Sequence, residues 1–185
     1  MHKIIATLLA LFVAAPAAAE ELRVPLQGRH DLVVSLPAGW QGQVRRTRAD
    51  LPPTIVIAGS TTGSLQMLIT PIWPSGSATA STSDELRQLV RGAADQARSQ
   101  AVERDIEINE LGAPGKTGYY FSATDRQPEP GGYKYMTQGA MGLDELRITF
   151  TVLINGDPKE PRATALDLVR TLRSAPPGPD GKGRV

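Results

Sequence analysis

The stretch that decides the fold is ELRITFTVLIN at residues 145–155. Because successive side chains of an extended chain point to opposite faces, its alternation predicts a strand with one buried and one wetter face. β-branched residues, which favour a pleated sheet, are frequent here. We therefore predict a central or near-central strand, with Leu153 as an apolar exception on the wetter face. The apolar residues of the buried face are Leu146, Ile148, Phe150, Val152 and Ile154.

The first 19 residues have the layout of a secretory signal peptide. A basic start at His2 and Lys3 precedes an apolar run over 4–15, and small residues at 17–19 supply a cleavage site after Ala19. The run is shorter than the ~20 residues needed to span a bilayer. The sequence therefore predicts a periplasmic or secreted protein with no membrane span after cleavage.

The length and composition of the 185-residue chain limit the structures and functions that are possible for the part after the leader. The length predicts one α+β domain over 20–175, followed by a disordered Pro/Gly-rich tail over 176–185. Cleavage would remove Lys3 and leave basic and acidic residues in balance. That balance argues against a nucleic-acid partner and against adhesion to an anionic membrane. The absence of cysteine rules out disulfides, thiolate metal sites and a cysteine nucleophile.

The remaining periodicities predict several strands and two helices. Thr82 and Glu85 form a capping box for a helix that runs to about Val102, after a mobile polar loop over 74–83. A second helix starts near Asp157. Short turns between consecutive strands imply antiparallel pairing, so we predict an α+β fold, an antiparallel sheet covered by two main helices. The other predicted strands are 22–27, 31–36, 41–47, 54–58, 65–72, 105–111, 117–124 and 133–141.

The chain resembles the PsbP-like family of α/β/α sandwich proteins, which includes small exported bacterial members. The resemblance rests on the strand LVVSL at 32–36 that closes in Pro37-Ala38-Gly39-Trp40, on the element order, and on a C-terminal helix over 165–174 that ends in a Leu-x-Ser step. It implies the sandwich fold and a role through protein partners. It supplies no active-site residue.

Two groups of residues are candidates for contact with a partner. Trp73 lies between two prolines at the mouth of the long loop, and loop aromatic residues are enriched at interfaces. Tyr133 and Tyr135 are further candidates, with packing on the neighbouring strand as the alternative. Trp40, at the end of the second strand, is instead predicted to belong to the core.

A cluster of arginines is the third candidate. Arg45, Arg46 and Arg48 are either a patch for an anion or acidic partner, or solvated charges that protect a sheet edge from aggregation. The edge interpretation is the more favoured of the two, because such charges are common there.

Motifs for catalysis and cofactors are weak. Gly115-Lys116-Thr117 lacks the upstream glycine of a phosphate-binding loop and precedes a strand, so it predicts a hairpin turn. His30 is the one histidine after the leader, which leaves a zinc site without enough ligands. Asp144 and Glu145 lack the dense spacing of a calcium loop and are interpreted as a turn. We predict no catalytic residue, metal or cofactor.

Three functional hypotheses follow. The favoured one is an exported, non-catalytic binding or assembly module that acts through another envelope protein. The alternative is a small-molecule or lipid carrier with a pocket between sheet and helix, near Leu86, Leu89 and Val90. An envelope hydrolase would need His30 next to a hydroxyl and a carboxylate.

Overall fold

The computed structural model describes residues 20–26, 30–48, 51–61, 63–73 and 81–178. The predicted leader, residues 74–80 of the predicted loop and residues 179–185 of the predicted tail lie outside these ranges. The strands are β1 (Glu20–Val24), β2 (Asp31–Leu36), β3 (Gln41–Arg45), β4 (Thr54–Ala58), β5 (Leu65–Ile72), β6 (Asn109–Glu110), β7 (Gly118–Thr124), β8 (Tyr135–Leu143), β9 (Leu146–Ile154) and β10 (Arg173–Ala175), and the helices are α1 (Ser83–Ala97) and α2 (Lys159–Thr171).

Seven antiparallel strands form the larger sheet, in the order β3-β4-β5-β9-β8-β7-β6. β9 is the fourth of the seven, and its residues alternate between buried and half-buried, which confirms the predicted central strand. It pairs with β8 across a tight turn and with β5 from much earlier in the chain, so that Phe150 lies opposite both Gly139 and Ile69.

A second sheet is made of three strands in the order β1-β2-β10. β10 corrects the predicted C-terminal helix, which ends at Thr171 and not at Ser174. The reason is that Arg173–Ala175 pairs with the free edge of β2, with Arg173 opposite Val33. The small sheet packs against β3 at Gly42. The contact is close, since a Cβ added at Gly42 would lie only 2.9 Å from Leu22 Cδ2 of β1.

The larger sheet separates two apolar clusters. Helix α1 packs on β7 and β8, where Leu86, Val90 and Ala94 contact Phe121 and other buried residues. On the opposite face, α2 and the three-stranded sheet cover the alternating apolar residues of β9 and β5 in the main core. The predicted α+β class, with helices on both faces of an antiparallel sheet, is confirmed.

The start of α1 is held by the predicted capping box. The Glu85 N–H donates to Thr82 Oγ1 at 3.3 Å, and the Thr82 N–H donates to Glu85 Oε2 at 2.8 Å. The predicted end near Val102 was too late, because the helix ends at Ala97 and a turn follows. Val102 leaves the helix to donate its N–H to the Thr124 carbonyl oxygen.

The strand predicted over 105–111 was wrong for most of its length. Only Asn109–Glu110 pairs with β7, although Ile106 and Ile108 are half-buried against the α1 cluster. At the far end of β7, the backbone of Thr124 is already hydrogen-bonded to other residues. Its N–H donates to Glu103 at 2.8 Å and its carbonyl oxygen accepts from Val102, so β7 offers no free backbone groups there.

Lys116 fastens the turn before β7 to the end of α2. Its Nζ donates to the carbonyl oxygens of Arg170 at 2.8 Å and Leu172 at 2.5 Å, which are among the last carbonyls of the helix. Burial lowers the pKa of this ammonium below its ordinary value of 10.5, and the carboxylate of Asp144 opposes that shift. The Gly115-Lys116-Thr117 motif thus lies in a turn before β7, as its strand context predicted. The structure adds that this turn also fixes the end of α2.

We expect Lys116→Met to lower the free energy of unfolding by about 1–2 kcal/mol at neutral pH, because two charge-assisted hydrogen bonds are lost. Between its lowered pKa and 10.5, the unfolded chain binds more protons at Lys116 than the folded chain does. The stability difference between wild type and variant should therefore widen as the pH rises toward 10.5.

Urea unfolding across this pH range measures both effects. Lys134→Met is the matched control, because Lys134 is exposed and contacts the Tyr135 ring at 5.5 Å instead of capping a helix. Equal losses in the two variants, or a gap that narrows with pH, would contradict this account of Lys116.

Candidate functional site

The three arginines begin at the outer end of β3, the edge strand of the larger sheet. Arg45 is exposed and lies opposite Thr54. Arg46 is past the strand end and its Nη2 donates to the Pro25 carbonyl oxygen at 2.6 Å. Arg48 is exposed. Arg46 therefore also ties two parts of the chain together, whereas Arg45 presents its guanidinium at the sheet edge.

Trp73 directly follows β5 and is half-buried against the main core. Its neighbour Ile72 lies opposite Arg147, at the start of β9. Thr70, two residues before Ile72 in β5, is in register with Thr54 of β4. Thr54 is in turn paired with Arg45 of β3. The structure therefore brings Trp73 and the arginines to the same end of the sheet, two strands apart.

Tyr133 and Tyr135 lie at the other end. Tyr135 is opposite Ile154, the last residue of β9, and packs half-buried against the main core. Tyr133 is half-buried and precedes the strand. Since β9 has nine residues, about 25 Å separates its two ends. The predicted contact residues are thus split between two ends of the sheet and do not form one site.

A surface that the sequence analysis did not nominate lies between these ends. On the face that carries α1, the helix makes its main contacts with β7 and β8, at one side of the sheet. The same face of β3, β4, β5 and β9 has no helix packed on it among the described residues. We call this part of the sheet the threonine face. Its outward residues are Gln41, Gln43, Arg45, Thr54, Val56, Ala58, Gln66, Leu68, Thr70, Ile72, Arg147, Thr149, Thr151 and Leu153.

Three threonines form a row across neighbouring strands. Thr54, Thr70 and Thr149 are in register with one another. The hydroxyls of Thr54 and Thr70 share a hydrogen bond of 3.2 Å, and the Thr149 hydroxyl donates to the Thr70 carbonyl oxygen at 3.4 Å. Because these hydroxyls are paired within the sheet, the methyl groups are the part of each side chain left for a partner.

The charged residues of the threonine face all have the same sign. The strands β3, β4, β5 and β9 contain no aspartate or glutamate, and the basic residues Arg45 and Arg147 lie toward the Trp73 end. Leu68, Ile72 and Leu153 are half-buried, and Val56 is buried. The face therefore mixes apolar side chains with neutral glutamines and threonines, and it is positive at one end.

One flank of α1 forms the wall of this face. Arg147 Nε donates to Ser81 Oγ at 2.9 Å, just before the helix. Hydrogen bonds from the backbone and side chain of Thr82 lower the pKa of Glu85, and the guanidinium of Arg147 adds to the effect. Glu85 is thus on the flank that faces β9. Leu89, one turn later on that flank, is 41% exposed.

The opposite flank of α1 faces β7. Arg87 lies 5.8 Å from the centroid of the Tyr119 ring, and the Ser83 and Tyr119 hydroxyls share a hydrogen bond of 2.8 Å. Arg91 is exposed and follows one turn after Arg87. The side chains of α1 therefore show which side of the helix borders the threonine face.

The residues considered as candidates for catalysis or metal binding lie apart from one another. His30 is exposed and has no hydrogen-bond partner among the described residues. Asp144 adopts a positive φ of 52° in the turn between β8 and β9, and its carboxylate accepts a hydrogen bond from Ser174 Oγ. Within the described ranges, no three His, Asp or Glu side chains are grouped to hold a metal ion.

The proposed carrier pocket falls on residues that are used in packing. Leu86 and Val90 are buried against β7 and β8, while Leu89 points outward.

Neither helix in the described part of the chain is long and apolar enough to cross a membrane.

These layers define the chain as an α+β sandwich with a seven-stranded antiparallel sheet. It is similar to the solution structure of cyanobacterial PsbP (CyanoP) from Synechocystis sp. PCC 6803, with a TM-score of 0.51 and 12% identity over 90% of this chain and 98% of that chain. The chain therefore has a PsbP-like fold, which confirms the resemblance. No protein family and no curated protein matches the sequence.

Proposed function

We propose that the protein is an exported, non-catalytic accessory module that acts by binding another protein of the cell envelope. The observation that carries this proposal is the PsbP-like fold, which extends over nearly the whole chain and combines with a sheet face that lacks acidic residues and a covering helix among the described residues. Exposed apolar side chains grouped on one face and rimmed by polar or charged residues are typical of a protein contact surface.

The chemistry of the described side chains supports the non-catalytic part of the proposal. A nucleophile needs a base within hydrogen-bond reach, and the base needs an orienting group. The hydroxyls of half-buried Ser122 and buried Thr137, 2.8 Å apart, bond to each other between β7 and β8, and His30 is exposed elsewhere. Charged residues such as Lys116 and Arg170 are engaged with backbone carbonyl oxygens at element ends.

A cross-linked pull-down tests the binding role. Tagged mature protein would be expressed in its native envelope, cross-linked briefly and purified beside an unrelated exported bait of similar size. We expect one recurrent protein in near-equal amount with the bait. A purified protein that showed turnover, lost on a single polar substitution, would contradict the proposal, as would the absence of any recurrent protein.

Export makes a second, independent prediction. Glu20, the residue that would follow the cleavage site, is also the first residue of β1 and is paired with Leu36. We expect protein isolated from the envelope to begin at Glu20, as read by intact mass and N-terminal sequencing. Ala19→Arg should block cleavage, because the site requires a small residue there. An unprocessed wild-type chain with Met1 retained would disprove the leader.

A further inference from the structure

We infer that the threonine face is the docking site for a partner's amphipathic helix, one that carries an apolar stripe and places carboxylates near Arg45 and Arg147. This inference rests on the proposed function and adds the surface and the kind of partner.

The space fits one helix beside α1. From β9 to β3 there are three strand spacings, which amount to about 14 Å. A helix with its side chains is about 10 Å wide and packs about 8–10 Å from a neighbouring helix. A docked helix would therefore lie over β9, β5 and β4 with α1 on its side, and Leu89 would be at the junction of the two helices.

The contact chemistry favours a protein helix. Leu68, Leu153 and Ile72 are spaced along two adjacent strands, with Thr70, Thr149 and Thr151 between them. Because the hydroxyls of Thr70 and Thr149 are bonded within the sheet, these two threonines present their methyl groups beside the leucine and isoleucine side chains. The face has no aromatic residue, so it lacks the stacking platform that a sugar ring would use.

The charges orient the partner. The four strands of the face contain no acidic residue. The bordering flank of α1 carries Glu85, whose carboxylate interacts with Arg147, so Arg45 supplies most of the positive charge for a partner's carboxylates. Arg45 is exposed at the β3 edge, and Arg147 is half-buried at the start of β9. Both lie toward the Trp73 end, while the other end is lined by neutral residues such as Gln66. Electrostatic complementarity of this kind fixes orientation and speeds association.

Site-specific photo-cross-linking in cells tests the inference. The probe is a benzophenone amino acid placed at Thr151 or at Leu68 on the face, and at Gln127, an exposed loop residue near the Tyr135 end, as the control. We expect adducts from the face and none from the control. The cross-linked partner peptides should map to one helix with contacts every three or four residues and with acidic residues at one end.

Variants then measure the interaction with the partner so identified. Leu89→Asp should weaken binding about tenfold or more, because an unpaired negative charge, one turn from Glu85, would enter a dry contact. Arg45→Glu should weaken it about 3–10-fold, mainly in the association rate and more at low salt. Arg91→Glu is the matched control on the other flank of α1, and we expect it to leave the affinity unchanged. Equal thermal unfolding of the variants would show that the fold is kept.

Several outcomes would overturn the inference. Adducts only from Gln127 would place the partner elsewhere and leave the binding role standing. Adducts between two copies of this chain would make the face a self-association surface, and adducts with glycan would assign it a different ligand. No adduct from any position, together with no recurrent protein in the pull-down, would overturn both the docking site and the proposed function.

Discussion

Gly139→Ala is expected to destabilise the protein by about 3 kcal/mol, the upper end for overpacking a core. Gly139 lies in β8 opposite both Tyr120 and Phe150. A Cβ there would collide with the Tyr119 carbonyl oxygen and lie 2.5 Å from Cζ and 2.8 Å from Cε1 of the Phe150 ring. The carbonyl belongs to a paired strand and the ring fills the main core, so neither can move without disturbing the sheet.

The comparison that isolates this effect is Gly92→Ala. Gly92 is on the exposed side of α1, where an added Cβ meets nothing within 4 Å. Alanine is favoured over glycine inside a helix, so this variant should gain about 0.5–1 kcal/mol. Urea unfolding of both proteins gives the two values. A Gly139→Ala protein as stable as wild type would show that β8 and β9 are not packed as described.

The sequence was sufficient to identify β9 as a strand with one buried face, because the alternation in that stretch is strict. One-face burial leaves a period of two that needs no tertiary information. The same holds for the start of α1, since Thr82 and Glu85 satisfy each other locally. Element ends were harder to predict, because they depend on distant parts of the chain. β10 forms only where β2 offers a free edge, and the backbone of Thr124 at the end of β7 is bonded to Glu103 and Val102 and not to the predicted strand.

The candidate surface was less accessible to sequence reasoning. Leu153 was visible as an apolar exception on the wetter face of β9. Which strands α1 covers is decided by the pairing of β5 with β9, whose residues are about 80 positions apart. The same pairing separates Trp73 from Tyr135. Local patterns do not contain this long-range register, so the predicted contact residues could not be grouped correctly.

Phe121→Ala is expected to lower the free energy of unfolding by about 3–5 kcal/mol, the usual cost of emptying a buried aromatic site. Phe121 is fully buried on β7 at the centre of the cluster under α1, where it packs with Leu86, Val90 and Ala94. This cluster is separate from the main core and is the main attachment of α1 to the sheet. Loss of the ring should therefore loosen α1 before the rest of the fold.

Hydrogen exchange locates this loss and equilibrium unfolding measures it. Amides of α1 should exchange faster in Phe121→Ala, while those of β9 and β5 keep the protection of the remaining fold. Leu89→Ala is the control on the same helix, because Leu89 is 41% exposed and its truncation should cost less than about 1 kcal/mol. One flank of α1 borders the threonine face, so loosening of α1 in Phe121→Ala should also weaken partner binding. Uniform loss of protection across both clusters would instead mean that they form one cooperative core.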